Sequence, residues 1–150
     1  MEANAVGTPM PFTFNGKTYM VAPRTIDQEL AFQRHLEAEE LRAIRAKADI
    51  LTEAEYATLL GQWGKTCALK KYRHGEQLWA EAMRTGEGVK YAYALAIAEG
   101  SGLVLDAALT LMDEVEKSEV DFLVLHKLIQ VLNNPNRNRP TEKDQPSAST

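Results

Sequence analysis

Hydrophobic and polar positions change their period along the chain. Phe12-Thr13-Phe14 alternates with the two-residue repeat of a strand, Asn15-Gly16 is a pair that tolerates positive φ, and Thr18-Tyr19-Met20-Val21 resumes a β-favouring run. This pattern predicts a β-hairpin over residues 12–22. A lone hairpin is marginal in water, so its apolar side must cover either the helices that follow or another subunit. Met1 to Pro11 has no period and reads as a disordered leader.

After Pro23 the period becomes helical. Thr25-Ile26-Asp27-Gln28 reads as a capping box, with Thr25 accepting from a first-turn N–H and Gln28 reaching back, so a long helix is expected from Ile26. Ile26, Leu30, Leu41, Ile44 and Ala48 form its main apolar stripe, with Phe32 and Leu36 on a neighbouring line, and its many charges imply half exposure. A second capping box, Thr52 to Glu55, opens a helix that brings Tyr56, Leu59, Leu60 and Trp63 to one side. Gly61 and Gly64 weaken it, and a kink or break is expected near Gly64. His74-Gly75 reads as a helix end.

Leu78 to Glu99 is two short Ala-rich helical runs joined through Gly86 and Gly88. Trp79, Ala82 and Met83 make a stripe before the joint, and Val89, Tyr91, Ala92, Leu95, Ala96 and Ile97 cover much of the helix after it. Gly100-Ser101-Gly102 breaks the chain again, and Leu103 to Val115 is read as the next helix. Ser118 caps the last helix, in which Asp121, Leu125, Leu128 and Leu132 share one line. Glu119, His126, Lys127 and Gln130 leave only a narrow polar stripe, with Leu123 intruding, so this helix belongs either at the centre of the core or in an oligomer. Asn133-Asn134-Pro135 stops it, and residues 134–150 are too poor in apolar side chains to offset ordering entropy. The expected fold is mainly α: a short N-terminal β-hairpin, then a compact body of about five helices, forming one domain over residues 12–133 (hairpin 12–22, helical body 25–133) between disordered ends.

Composition narrows the classes of function. With 150 residues and 45% hydrophobic content the chain can bury a real core. A net charge of −4 and a pI near 5.4 lack the positive field that recruits nucleic acid or an anionic membrane. A single cysteine, Cys67, excludes an intrachain disulfide, no signal-peptide pattern opens the chain, and no apolar run reaches the roughly 20 residues that span a bilayer. A reducing cytoplasm is therefore the expected setting.

Candidate chemistry is sparse. His35, His74 and His126 lie on three different elements without metal-ligand spacing. Cys67 lies near Lys65, Lys70 and Lys71, which could depress its pKa, but no fixed base accompanies it. The carboxylates at Glu37, Glu39, Glu40, Glu53 and Glu55, and at Asp113, Glu114, Glu116 and Glu119, share their runs with basic residues, as solvated helix faces do. Neither Gly86-Glu87-Gly88 nor Gly100-Ser101-Gly102 follows a strand or precedes a Gly-Lys-Ser/Thr. Lys65, Lys70, Lys71 and Arg73, with Tyr72 among them, form the one uncompensated basic patch, suited to an acidic protein surface or to solubility more than to a phosphate backbone. No catalytic residue, metal or cofactor is expected.

The order of a hairpin over Phe12 to Pro23, a capped charged helix, the stretch Leu78 to Ala98 and a polar tail resembles the tail assembly chaperones of long-tailed bacteriophages. The resemblance implies a non-enzymatic protein of the host cytoplasm, absent from the mature virion, that binds the tape measure protein and keeps it soluble during tail morphogenesis. The tail tube protein is a second partner on this reading, and self-association into a homo-oligomer a third; neither nucleic acid nor membrane is a partner. A helical groove masking the apolar faces of an extended helical polypeptide fits that role. Candidate partner-binding residues are Phe12, Phe14 and Tyr19 on the hairpin, together with Trp79, Tyr91, Leu95, Leu125 and Leu128. The competing reading of each is an ordinary core position. The alternative function is a small structural virion protein, a connector or tube-associated subunit whose hairpin adds strands to a neighbour's sheet. A regulatory nucleic-acid binder acting through the basic patch is held third.

Overall fold

A computed structural model describes residues 8–69 and 76–134. Strands β1 (Met10–Phe14) and β2 (Lys17–Val21) form the hairpin, and six helices follow among the described residues: α1 (Ile26–Ala46), α2 (Glu53–Leu69), α3 (Glu76–Ala82), α4 (Gly86–Ser101), α5 (Leu105–Glu116) and α6 (Glu119–Leu132). The fold is mainly helical behind a short N-terminal hairpin, as the periodicity predicts, with six helices where about five are expected. The hairpin is longer than its pattern suggests. Met10 and Pro11 belong to β1 because Met10 pairs with Val21 and Pro11 with Met20, so the expected leader is too long at its inner end. Residues 1–7, the expected His74-Gly75 helix end and the tail from residue 135 lie outside the described residues.

Asn15 and Gly16 both have positive φ, 51° and 75°, the geometry of a tight turn that matches strand twist. Alternation then points Phe12, Phe14 and Val21 inward, where all are buried. They pack on helices of the same chain, β2 against α4 and β1 against α6, so the hairpin covers its own body. The Ala22 N–H donates to the Ala96 carbonyl at 3.0 Å, and Ser101 Oγ accepts from the Met20 N–H (2.9 Å) and donates to the Met20 carbonyl (2.8 Å). Gly100 and Ser101 are thus the last turn of α4 and the seat of the hairpin; the break comes one residue later, at the left-handed cap Gly102. α5 accordingly starts at Leu105 rather than Leu103.

α4 is the hub, packed against β2, α1, α3 and α5. Ala92, Tyr93, Ala94, Leu95, Ala96 and Ile97 are all buried, which is why this helix is apolar nearly all round, and its alanines let neighbours approach closely. Phe32, Trp79 and Tyr91 join α1, α3 and α4 in an aromatic cluster, with His35 stacked on Tyr91 at 3.7 Å between ring centroids.

The buried face of α1 differs from its apolar stripe. Ile26 is exposed, whereas Gln28, Glu29, Phe32 and Gln33 are buried. Tertiary hydrogen bonds make this possible. Thr25 accepts from the Gln28 N–H as expected (3.2 Å), but the Gln28 amide donates to the Pro23 carbonyl (2.8 Å) and to Glu99 (2.9 Å) instead of reaching back to Thr25. The Thr52–Glu55 box is reciprocal, at 3.0 and 3.1 Å. α2 runs unbroken through Gly61 and Gly64, in place of the expected kink, since two glycines cost about 1 kcal/mol each in a run of otherwise good helix formers. Tyr56, Leu59, Leu60 and Trp63 share one half-buried side, and the Trp63 indole donates to the Glu37 carbonyl of α1 at 2.9 Å.

Burial in the aromatic cluster lowers the His35 pKa from 6.5; Arg42 adds to this and Glu39 opposes it. The folded state therefore disfavours the proton, the unfolded chain binds more protons just below pH 6.5, and stability falls as pH drops through that window. Thermal melts should show a lower Tm at about pH 5 than at about pH 7, with a smaller difference in His35→Phe. An unchanged difference would remove His35 as the sensor.

Candidate functional site

A long groove of about 950 Å³ opens between α3, α4 and α6. Val89, Ala92, Tyr93 and Ala96 give one side from successive turns of α4, and Phe122, His126, Ile129 and Asn133 give the other from α6. Trp79 of α3 and Met83, in the turn just after it, close it. The small Ala92 and Ala96 leave the trough, while larger side chains on either flank give it walls.

Ser118 caps α6 by accepting from the Asp121 N–H at 3.3 Å, and Asn133 ends it, its side-chain oxygen accepting from the Arg24 N–H at 2.7 Å. At 1.5 Å per residue this 14-residue helix is about 21 Å long. The carboxylates and the guanidinium of the groove divide between its ends: Glu116 and Glu119 stand by the start of α6, Arg24 by its finish beside Asn133. The Arg24 guanidinium lies 5.3 Å from the Trp79 ring centre and 3.4 Å from Glu29. Midway, the Tyr93 hydroxyl hydrogen-bonds His126 Nδ1. Burial raises the Tyr93 pKa to about 12, so the phenol keeps its proton. The buried Trp79 indole N–H has no acceptor among the described residues.

Of the expected partner-binding residues, only Trp79 lines the groove. Phe12, Phe14, Leu95 and Leu125 are core positions, buried against the hairpin and the hub helix. Tyr19 and Leu128 are half-buried against that core, and Tyr91 is turned toward Phe32 and His35. Of the residues that do form the groove, His126 and Ile129 are next in sequence to Leu125 and Leu128, Val89 and Tyr93 flank Tyr91 at two positions, and Phe122 precedes Leu125 by three. Their signal is the pairing of i, i+4, i+7 lines on α4 and α6, which identifies two apolar faces without saying which faces meet.

The chain matches no family profile, no characterised protein and no solved structure. Among the described residues no group of His, Cys, Asp and Glu could hold a metal ion, and no helix is long and apolar enough to cross a membrane. Burial raises the Cys67 pKa, with Glu37 and Glu40 adding to the rise, the opposite direction to activation of the thiol. Lys90 is held in its charged form by a hydrogen bond to Asp113. Of the basic patch, Lys65 is exposed on α2, and the others lie outside the described residues. What the groove offers is apolar area flanked by charges of opposite sign, suited to burying the apolar face of another polypeptide.

Proposed function

We propose that this chain is a non-enzymatic assembly chaperone that holds an apolar helical segment of a partner in the groove between α3, α4 and α6. The groove itself carries the reading. It is lined by side chains from successive turns of two helices and runs alongside a helix about 21 Å long, the length of a helical segment of about four turns. Its acidic end favours the positive N-terminal end of a bound helix and its Arg24 end the negative C-terminal end, which sets an orientation. The net charge of −4 would make the complex more soluble than the bare partner.

Joined to the resemblance to tail assembly chaperones, the partner on this reading is a tape measure protein, whose long helices would otherwise self-associate. Strand addition by the hairpin, the basis of the structural virion alternative, is less well supported: Ser101 and Ala96 already occupy hydrogen-bonding groups of residues 20 and 22.

Co-expression with a tape measure protein tests the proposal. The partner should move from the insoluble to the soluble fraction and co-purify. Unchanged solubility with no co-purification would sink it.

A further inference from the structure

His126 puts a polar group midway along an apolar groove. Its Nδ1 is bonded to the Tyr93 hydroxyl across the trough, from α6 to α4, among the apolar side chains of Val89, Ala92, Ala96, Phe122 and Ile129. The other ring nitrogen, Nε2, has no hydrogen-bond partner among the described residues, and it is not one of the buried unpartnered atoms, so water reaches it in the free protein. His126 lines both the groove and the depression on the outer side of α6, so its ring stands on the crest between them. A helix about 10 Å across, laid along α6 in the groove, strips the water from Nε2.

We propose that the segment held in this groove carries an amide side chain, Gln or Asn, in the middle of its apolar face, and that His126 selects it. The inference rests on the groove as the binding surface. Whichever partner of the Tyr93 bond holds its proton, Nε2 is left as one donor or one acceptor, and an amide supplies the match to either. A wholly apolar segment would bury Nε2 unpaired. A carboxylate would lose its water with no cation to meet it: Arg24 is at the end of the groove beside Glu29, and Lys127 lines the outer depression instead. Serine and threonine hydroxyls on a helix are short and turn back to their own backbone carbonyls. Gln130, one turn beyond His126 and exposed, offers the incoming amide a second partner.

Calorimetric titration of the full chain at about pH 8, where a histidine is uncharged, tests it. The probes are three synthetic Ala-based helical peptides of about 18 residues, with Leu along one face, identical except for Gln, Leu or Glu at the centre of that face. The Gln peptide should bind wild type about tenfold more tightly than either of the others. His126→Leu should reverse the order of Gln and Leu, and His126→Gln, which keeps a hydrogen-bonding side chain, should restore it, with circular dichroism confirming that both variants keep their helices. A Leu or Glu peptide that binds wild type as tightly as the Gln peptide, or a Gln preference that persists in His126→Leu, would overturn the proposal. If the Gln and Leu peptides bind equally and Met83→Glu weakens both, the groove stands as the binding surface and only selection by His126 falls. Binding by none of the three overturns both.

Discussion

Gly100→Ala is expected to destabilise the protein by about 3 kcal/mol and to loosen the hairpin from α4. A Cβ at this position would lie 2.4 Å from the Met20 carbonyl oxygen, 2.7 Å from the Ala22 nitrogen and 2.8 Å from the Met20 carbonyl carbon. All three are backbone atoms, so relief requires the strand itself to move. That movement strains the Ser101 bonds to Met20 and the Ala22 to Ala96 bond together, and it lifts Val21 from the core. The sign is opposite to the usual effect of glycine to alanine in a helix, a gain of about 1 kcal/mol. Gly61→Ala and Gly64→Ala, where a Cβ meets nothing within 4 Å, are the matched controls and should stabilise α2. Urea denaturation measures all three, and hydrogen exchange of residues 10–21 reports the undocking. A Gly100→Ala protein as stable as wild type would show that the hairpin does not depend on this close approach.

Features set by neighbours in sequence were legible before the structure. The Asn15-Gly16 turn, the caps at Thr25, Thr52 and Ser118, and the apolar circumference of α4 all follow from side chains a few residues apart. Gly100 shows the limit. Its glycine reads as a break, because the strand that needs its missing side chain is about eighty residues earlier. The same holds for α1, where Gln28 is buried only because Pro23 and Glu99 accept from its amide. Periodicity favoured Ile26 and had no means of seeing those partners. The site was legible as an apolar helical surface, but not in its residues. Tyr91 and Tyr93 are two positions apart on one helix, and only the placement of α1 and α6 decides that Tyr91 meets His35 while Tyr93 meets His126. For α6 the composition left two settings, core or oligomer, and the helix is divided among core, groove and exposed faces.

Met83→Glu is the second large effect expected, on binding rather than on stability. Met83 stands 45% exposed on the groove wall, so a carboxylate there stays hydrated in the free protein and folding should change by less than about 0.5 kcal/mol. A bound apolar helix would strip that water, at a cost of about 2 kcal/mol, or roughly thirtyfold in affinity. Phe122→Ala should weaken binding by a similar factor, through loss of an aromatic wall. The decisive measurement is calorimetric titration of the full chain, wild type and Met83→Glu, with amphipathic helical segments tiled from the co-purifying partner. Groove binding requires a segment that binds wild type and loses about thirtyfold on Met83→Glu, with unfolding unchanged. Equal affinity for both proteins would place the partner elsewhere and contradict the groove as the working surface.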